Sequence, residues 1–193
     1  MSVLKPKDFI RQVFISELEP LANKNHYISF AIMATGIEFL GKCLDLTAAN
    51  WNVSGRSEAN FKLAINRLQA FSKYRPHAEL LYDALRNGFA HSFVPKYGIT
   101  LSSKNELAHM IIQHGRLNLK CEDFYHDFKL ACNEIIQMTF ANPNDKMNRD
   151  LIEVPQDKFN DVSTSPTSIT QSIQNNSPGK VVQQTSNTTS GRP

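Results

Sequence analysis

The stretch of sequence that decides the fold is residues 26–46, HYISFAIMATGIEFLGKCLDL. Apolar side chains recur in it at three- and four-residue steps and also fill the positions beside that face. A helix that is apolar around most of its circumference belongs at the centre of a helical bundle. Gly36 and Gly41 lack a Cβ and would let neighbouring helices approach closely. Glu38 is the lone acid in this run before Asp45, and we consider two interpretations: a buried functional carboxylate, or an exposed or salt-bridged side chain.

Outward from this helix, the same periodicity predicts further amphipathic helices and then changes to that of strands. The other predicted helices are residues 8–19, 58–73, 76–91 and 122–140, with a loop at 47–57 and Pro76 in the first turn of its helix. The predicted short strands are 97–102, 108–113 and 116–120, with a tight turn at His114-Gly115. The sequence therefore predicts a mainly α fold: an antiparallel up-and-down bundle of about five helices. A small β-hairpin or meander is inserted before the last helix.

The composition divides the 193 residues into a folded part and a tail. Residues 1–142 contain 11 of the 12 phenylalanines and the only tryptophan, enough for one core. From residue 160 to the end, 13 of 34 residues are Ser or Thr. We therefore predict one domain over 1–142 and a disordered Ser/Thr/Asn/Gln-rich tail over 143–193, which is either a tether or passive.

Charge and motifs exclude several classes of function. The net charge of +3 is too small to indicate a nucleic-acid-binding protein by itself. Phosphate-binding loops of the GxxxxGK[ST] and GxGxxG types, a GxSxG elbow and an HExxH motif are all absent from the sequence. We expect no metal, although His109 and His114 leave either a metal pair or two surface histidines open. We expect no cofactor. The three cysteines and the lack of a long apolar run favour a reduced, cytoplasmic protein without a membrane segment.

One constellation can carry chemistry: RNGFAH, residues 86–91, at the end of a predicted helix. Asn87 and His91 are four residues apart and can form a hydrogen bond that orients the imidazole. In a regular helix Arg86 and His91 would be about 140° apart around the axis. A guanidinium holds phosphate oxygens and an imidazole moves protons near neutral pH, so the set suits phosphodiester chemistry. A structural interpretation is that Arg86 pairs with Asp83 near Tyr82 and that His91 interacts with helix C-terminal carbonyls.

The spacing of Arg86, Asn87 and His91 resembles the motif of the HEPN domains (higher eukaryotes and prokaryotes nucleotide-binding), an arginine followed after four to six residues by a histidine. The predicted helix order over about residues 8–141 is similar to the family fold. The resemblance implies an HEPN-like domain over 1–142 with metal-independent endoribonuclease activity in a toxin or phage-defence setting. The implied partners are RNA, a second copy of the chain in a homodimer, and a nucleotidyltransferase antitoxin.

In that family, the histidine acts as general acid or base on the ribose 2′-OH, and the arginine stabilises the scissile phosphate. These roles would fall to His91 and Arg86, with Asn87 orienting His91 or contacting RNA. Some toxin members carry a modified tyrosine two residues after the histidine, where this chain has Phe93. Other members are catalytically silent, so a binding or dimerisation module, or an unrelated helical scaffold, remains the alternative.

A second set of residues, Lys73-Tyr74-Arg75, precedes the motif helix. An aromatic ring between two cations can stack a base, so these residues are candidates for RNA binding. The alternative is a solvated turn between two helices.

Overall fold

The computed structural model describes residues 5–47, 50, 51, 53–104 and 106–151, and within them the chain is mainly helical with one small sheet. The first helix, α1 (residues 6–24), is α-helical at Pro6–Phe9, π-helical at Ile10–Glu17 and α-helical again at Leu18–Lys24. Helices α2 and α3 are His26–Leu44 and Ser57–Arg67, followed by a 3₁₀ segment, Gln69–His77. Helix α4 (residues 78–92) comprises Ala78–Leu80, a π-helical stretch Leu81–Asn87 and Gly88–Ser92. Helix α5 is Cys121–Gln137, and a 3₁₀ turn follows at Lys146–Asn148.

Helix α2 lies in the core, as its sequence predicts. It buries ten residues, including Phe30, Ile37 and Leu40, which are at most 1% exposed. The predicted close approach at its glycines is confirmed, because a Cβ on Gly41 would lie 1.7 Å from the carbonyl oxygen of Asn60 in α3. The helix is long and apolar enough to cross a membrane by those two criteria alone, with a mean hydropathy of 1.3. Core helices of soluble proteins meet the same criteria, and 56% of this stretch is buried.

The sheet before the last helix consists of β1 (Ile99–Ser102), β2 (Ile112–Gln113) and β3 (Arg116–Lys120), in the order β1-β3-β2. The pair β2–β3 is the predicted hairpin, closed by His114 and Gly115 with φ of 51° and 71°. Two positive φ values are those of a type I′ turn. The pair β1–β3 is parallel, which a meander does not contain. Strand β2 is shorter than the predicted 108–113, because Met110 adopts a φ of 62° that interrupts it.

The helix predicted over 58–73 ends early, at Arg67. Leu68 is extended and fully buried, and the chain restarts as the 3₁₀ segment. The Glu134 carboxylate accepts hydrogen bonds from the backbone N–H groups of Gln69 (3.0 Å) and Ala70 (3.3 Å), which satisfies donors left by the break. As a result Pro76 lies inside the 3₁₀ segment and not in the first turn of α4.

The packed part of the chain extends beyond the boundary predicted at 142. Lys146 and Met147 are each only 3% exposed. The Lys146 Nζ donates to the Asp45 carbonyl (2.9 Å) and lies 3.7 Å from its carboxylate, which ties the 3₁₀ turn to the end of α2. The prediction of a tail was therefore wrong for these residues, because a buried ion pair holds a segment whose composition indicated a break. The rest of the predicted tail, 152–193, lies outside the described residues.

Candidate functional site

The motif lies at the end of α4, where the chain turns back over the helix. The buried side chains of Leu81, Leu85 and Phe89 anchor this helix to the core. A Cβ on Gly88 would lie 2.6 Å from the carbonyl oxygen of Val94, so only glycine lets the returning chain pass this close. The backbone N–H of Lys96 donates to the Ala84 carbonyl (2.8 Å) and completes the return. The end of the motif helix is thus held by backbone contacts.

Arg86 is held by an acid from the central helix. Its Nε donates to Oε2 of Glu38 at 2.7 Å, and its Nη2 lies 2.6 Å from the same oxygen. Its Nη1 donates to Oδ1 of Asn87 at 3.1 Å, and its guanidinium carbon lies 6.0 Å from the centre of the Tyr82 ring. Arg86 does not pair with Asp83, the alternative considered above, because the Asp83 carboxylate forms an ion pair with Lys96 (Nζ to Oδ1, 2.6 Å).

Glu38 also contacts two further polar side chains, Lys42 and Ser57. It is 5% exposed, lies 3.0 Å from the Nζ of Lys42 through Oε1, and accepts a hydrogen bond from Ser57 (2.7 Å) through Oε2. Burial raises the pKa of its carboxyl. The bonds from Ser57 and Lys42 and the charges of Lys42 and Arg86 outweigh that effect and hold the pKa below its ordinary value. Glu38 is therefore a buried, ionised carboxylate that is also salt-bridged.

His91 is exposed to solvent. The hydrogen bond predicted between Asn87 and His91 is replaced, because the Asn87 oxygen accepts from the charged guanidinium of Arg86. In the described part of the chain no hydrogen bond or ion pair involves the imidazole of His91. The prediction that Asn87 orients His91 was therefore wrong.

The backbone of α4 changes how far apart Arg86 and His91 lie around the axis. Residues Leu81–Asn87 are π-helical, with i→i+5 hydrogen bonds in place of i→i+4. In such a wider turn, side chains five residues apart lie closer to one face than in an α-helix. The stretch includes Arg86 and ends before His91, so it offsets part of the separation of about 140° expected for a regular helix.

An apolar groove of about 530 Å³ lies at the end of α4. Ala90 and Phe93, on either side of His91 in sequence, line one wall. The opposite walls come from α1 and α2, including Phe9, Ile28 and Phe39. Phe93 is 61% exposed and Ile28 is 43% exposed, so the groove opens to the surface.

The second predicted set, Lys73-Tyr74-Arg75, does not form one exposed surface, because Tyr74 is buried while Lys73 and Arg75 are exposed. Tyr74 is 0% exposed, so the prediction that it stacks an RNA base was wrong. Its hydroxyl donates to Asp127 (2.5 Å) and bonds to Nε2 of His109 (2.7 Å), and burial followed by the Asp127 contact raises its pKa. Lys73 pairs with the same carboxylate at 2.7 Å, and Arg75 is exposed.

Sequence reasoning missed this Tyr74–His109–Asp127 cluster because its members are 35 and 53 residues from Tyr74. Nδ1 of His109 accepts from the backbone N–H of Lys120 (3.1 Å), so neutral His109 carries its proton on Nε2 and donates to Tyr74. The cluster joins the 3₁₀ segment, the loop after β1 and α5. His109 thus faces the core, whereas His114 lies in the exposed hairpin turn.

The described residues contain no group of three or more His, Cys, Asp or Glu side chains that could hold a metal ion. The three cysteines are buried, and burial raises the pKa of each thiol, that of Cys121 to about 12. The arrangement can instead offer an exposed imidazole, a fixed guanidinium and an apolar groove near the end of the same helix. Comparison with known proteins identifies no relative: no family model, no curated protein and no solved structure matches this chain.

Proposed function

We propose that the chain is a metal-independent endoribonuclease of HEPN type that acts as a homodimer. The observation that carries the proposal is the pairing of a fixed arginine with an exposed histidine at one helix end. Arg86 is 19% exposed and immobilised by Glu38, whereas His91 is open to solvent. The antiparallel up-and-down order of the helices belongs to the same proposal.

In this proposal, His91 transfers protons and Arg86 stabilises negative charge. His91 takes the proton from a ribose 2′-OH, and the 2′ oxygen attacks phosphorus as the bond to the 5′ oxygen breaks. The partner's His91 returns a proton to the leaving oxygen, which yields a 2′,3′-cyclic phosphate. Arg86 has N–H groups left over after its bonds to Glu38 and Asn87, and these stabilise the charge on the phosphate. The need for a 2′-OH restricts cleavage to RNA.

The groove beside His91 supports the dimer. Phe93 and Ile28 are large, apolar and exposed, and such patches commonly mark protein interfaces. A second copy seated there would cover them and bring two His91 side chains to one cleft. A toxin or phage-defence setting, a cytoplasmic location and a nucleotidyltransferase antitoxin complete the proposal, although Phe93 excludes a modified tyrosine at that position.

The test is cleavage of single-stranded RNA by the purified protein in EDTA. We expect 2′,3′-cyclic phosphate ends, and we expect His91→Ala and Arg86→Lys each to lower the rate by at least about 100-fold, the usual contribution of one acid–base or oxyanion-binding group. Arg86→Lys keeps the charge opposite Glu38 but loses the fork of donors. His126→Ala is the matched control, since His126 is an exposed histidine on α5. Cutting that survives both motif substitutions, or no cutting of any RNA, would overturn the proposal.

A catalytically silent binding or dimerisation module, or a helical scaffold, is the second candidate. Two observations favour it: Glu38 neutralises the charge of Arg86, and in the described residues nothing orients His91. It predicts a stable dimer or hetero-complex by sedimentation without RNA cleavage. Cleavage that persists when dimerisation is lost would count against it.

A further inference from the structure

A second cavity, of about 290 Å³, lies on the small sheet and not at the motif. It is lined mainly by polar side chains of β1, β2, β3 and the hairpin turn. Its volume is at the lower end of the range for small-molecule sites. The residues that define it are Tyr97, Thr100, Gln113, His114, Arg116 and Asn118.

Arg116 and Tyr97 form its outer wall. The guanidinium carbon of Arg116 lies 5.0 Å from the centre of the Tyr97 ring, and the ring is 76% exposed. Among the described residues, none accepts a hydrogen bond from the Arg116 guanidinium or forms an ion pair with it. Arg86, by contrast, is neutralised by Glu38. An arginine without an acid can bind a phosphate group through its fork of donors, and an exposed aromatic ring can stack a base.

The hairpin turn adds a second hydrogen-bond donor. His114 and Gly115 adopt positive φ, and the Tyr97 hydroxyl lies 3.9 Å from the position of a Cβ on Gly115. The ring of Tyr97 therefore extends over the turn that carries His114. The imidazole of His114 is exposed, so it can donate to a phosphate oxygen beside Arg116.

Asn118 forms the inner wall and is fully buried. Its Nδ2 donates to Ser102 Oγ (2.8 Å) and to the carbonyls of Ala108 (2.9 Å) and Leu107 (3.2 Å), which fixes the orientation of the amide. Its Oδ1 is buried and has no donor among the described residues. A buried acceptor without a donor is costly, and an N–H on a ligand would supply one.

We propose that this cavity binds a nucleotide unit. Its base stacks on Tyr97, its phosphate contacts Arg116 and His114, and its N–H-bearing edge faces Asn118 and Gln113. Either a free mononucleotide or a nucleotide within RNA has this chemistry. The proposal does not rest on the nuclease activity of the Arg86/His91 site, because it concerns binding at a separate cavity.

The test is calorimetric titration of the full chain with AMP, adenosine, inorganic phosphate and a short single-stranded oligoadenylate. The oligonucleotide is added in EDTA to the His91→Ala variant, so that cleavage cannot intervene. We expect Tyr97→Leu and Arg116→Gln each to weaken binding about tenfold, because the first removes base stacking and the second removes a charged contact to phosphate. Arg67→Gln is the matched control, because Arg67 is an exposed arginine with no partner in the described chain and lies outside this cavity.

Binding of AMP that both cavity variants weaken would support a free-nucleotide site. Binding of the oligonucleotide alone, with the same sensitivity, would support a site for RNA. Binding of phosphate as tight as that of AMP would overturn the role of the ring. No binding of any probe, or equal weakening by Arg67→Gln, would overturn the site. Loss of RNA cleavage in His91→Ala with AMP binding intact would separate the two proposals.

Discussion

Replacement of Glu38 by glutamine removes one negative charge from the centre of the domain. The carboxylate side chain is 7% exposed, and its partners Arg86 and Lys42 are 19% and 29% exposed. Breaking a buried pair by removing one partner costs about 3–5 kcal/mol. Because both cations keep some contact with water and the amide can still accept from Ser57, we expect the lower end, about 3 kcal/mol. For a domain of this size that corresponds to a fall in Tm of roughly 6–12 °C.

The assay is urea unfolding followed by circular dichroism, at constant m value so that only stability changes. Glu58→Gln is the matched control, since Glu58 pairs with Lys62 while 52% exposed, and we expect no resolvable change there. A double-mutant cycle of Glu38→Gln with Arg86→Gln should give a coupling of at least about 1 kcal/mol. A coupling near zero, or an effect of Glu38→Gln no larger than that of Glu58→Gln, would refute the reasoning.

The difference in unfolding free energy between wild type and Glu38→Gln should depend on pH, with a sign set by the pKa of Glu38. The folded pKa of Glu38 lies below its ordinary value of 4.5, so its contribution is complete above that pH. It is lost as the pH falls from that value through the folded pKa, because in this range the unfolded state binds the proton more tightly than the folded state does. The stability gap between wild type and Glu38→Gln should therefore be constant near pH 7 and should close in acid. A gap that widens in acid would contradict the assignment.

Three further predictions concern the packing of the domain. Gly41→Ala should destabilise the domain by about 3 kcal/mol or more in urea unfolding, because its Cβ would overlap the Asn60 carbonyl. Gly55→Ala, at an open position with φ of 74°, should cost only about 1 kcal/mol in the same assay. Tyr74→Phe should cost about 2 kcal/mol in urea unfolding, because it removes the hydroxyl that bonds to His109 and Asp127. Tyr82→Phe is the control, and equal stability of the two variants would contradict this role of the Tyr74 hydroxyl. A chain that ends after Asn142 should have a lower Tm than one that ends after Leu151. The shorter chain lacks Lys146 and leaves the buried Asp45 with Arg56 as its remaining cation among the described residues. Identical Tm values would contradict a stabilising role for the buried pair.

Local patterns in the sequence predict local structure well here. The apolar spacing of α2 indicates its burial, Gly41 indicates the close helix contact, and His114-Gly115 indicates the turn. Each of these depends on residues that are neighbours along one element. The break at Leu68 depends on an acid from α5, Glu134, and for that reason the spacing of residues 58–73 alone could not predict it.

The sequence predicts which residues form the candidate site, but it does not predict which groups their side chains pair with. Arg86 and His91 stand out by spacing, whereas the partner of Arg86 is 48 residues away on another helix. Tyr74 between two cations has the pattern of an RNA-stacking residue, but its burial is decided by His109 and Asp127. Long-range pairing of polar groups is set by how helices pack, and no residue-by-residue pattern encodes that.

The π-helical stretch of α4 makes the direction of His91 a matter of residue count as well as of side-chain chemistry. A π stretch accommodates one more residue than the α-helix it interrupts. Removing a single residue between Leu81 and Asn87 would therefore let α4 become a regular α-helix and leave the residues after it on nearly the same face, because the removed residue is the one that the wider turn absorbs. Removing Ala90 from the α-helical turn Gly88–Ser92 would instead rotate His91 by about 100° around the helix axis. The two deletions each take out one residue but give His91 different directions, a comparison that no substitution in this helix can reproduce.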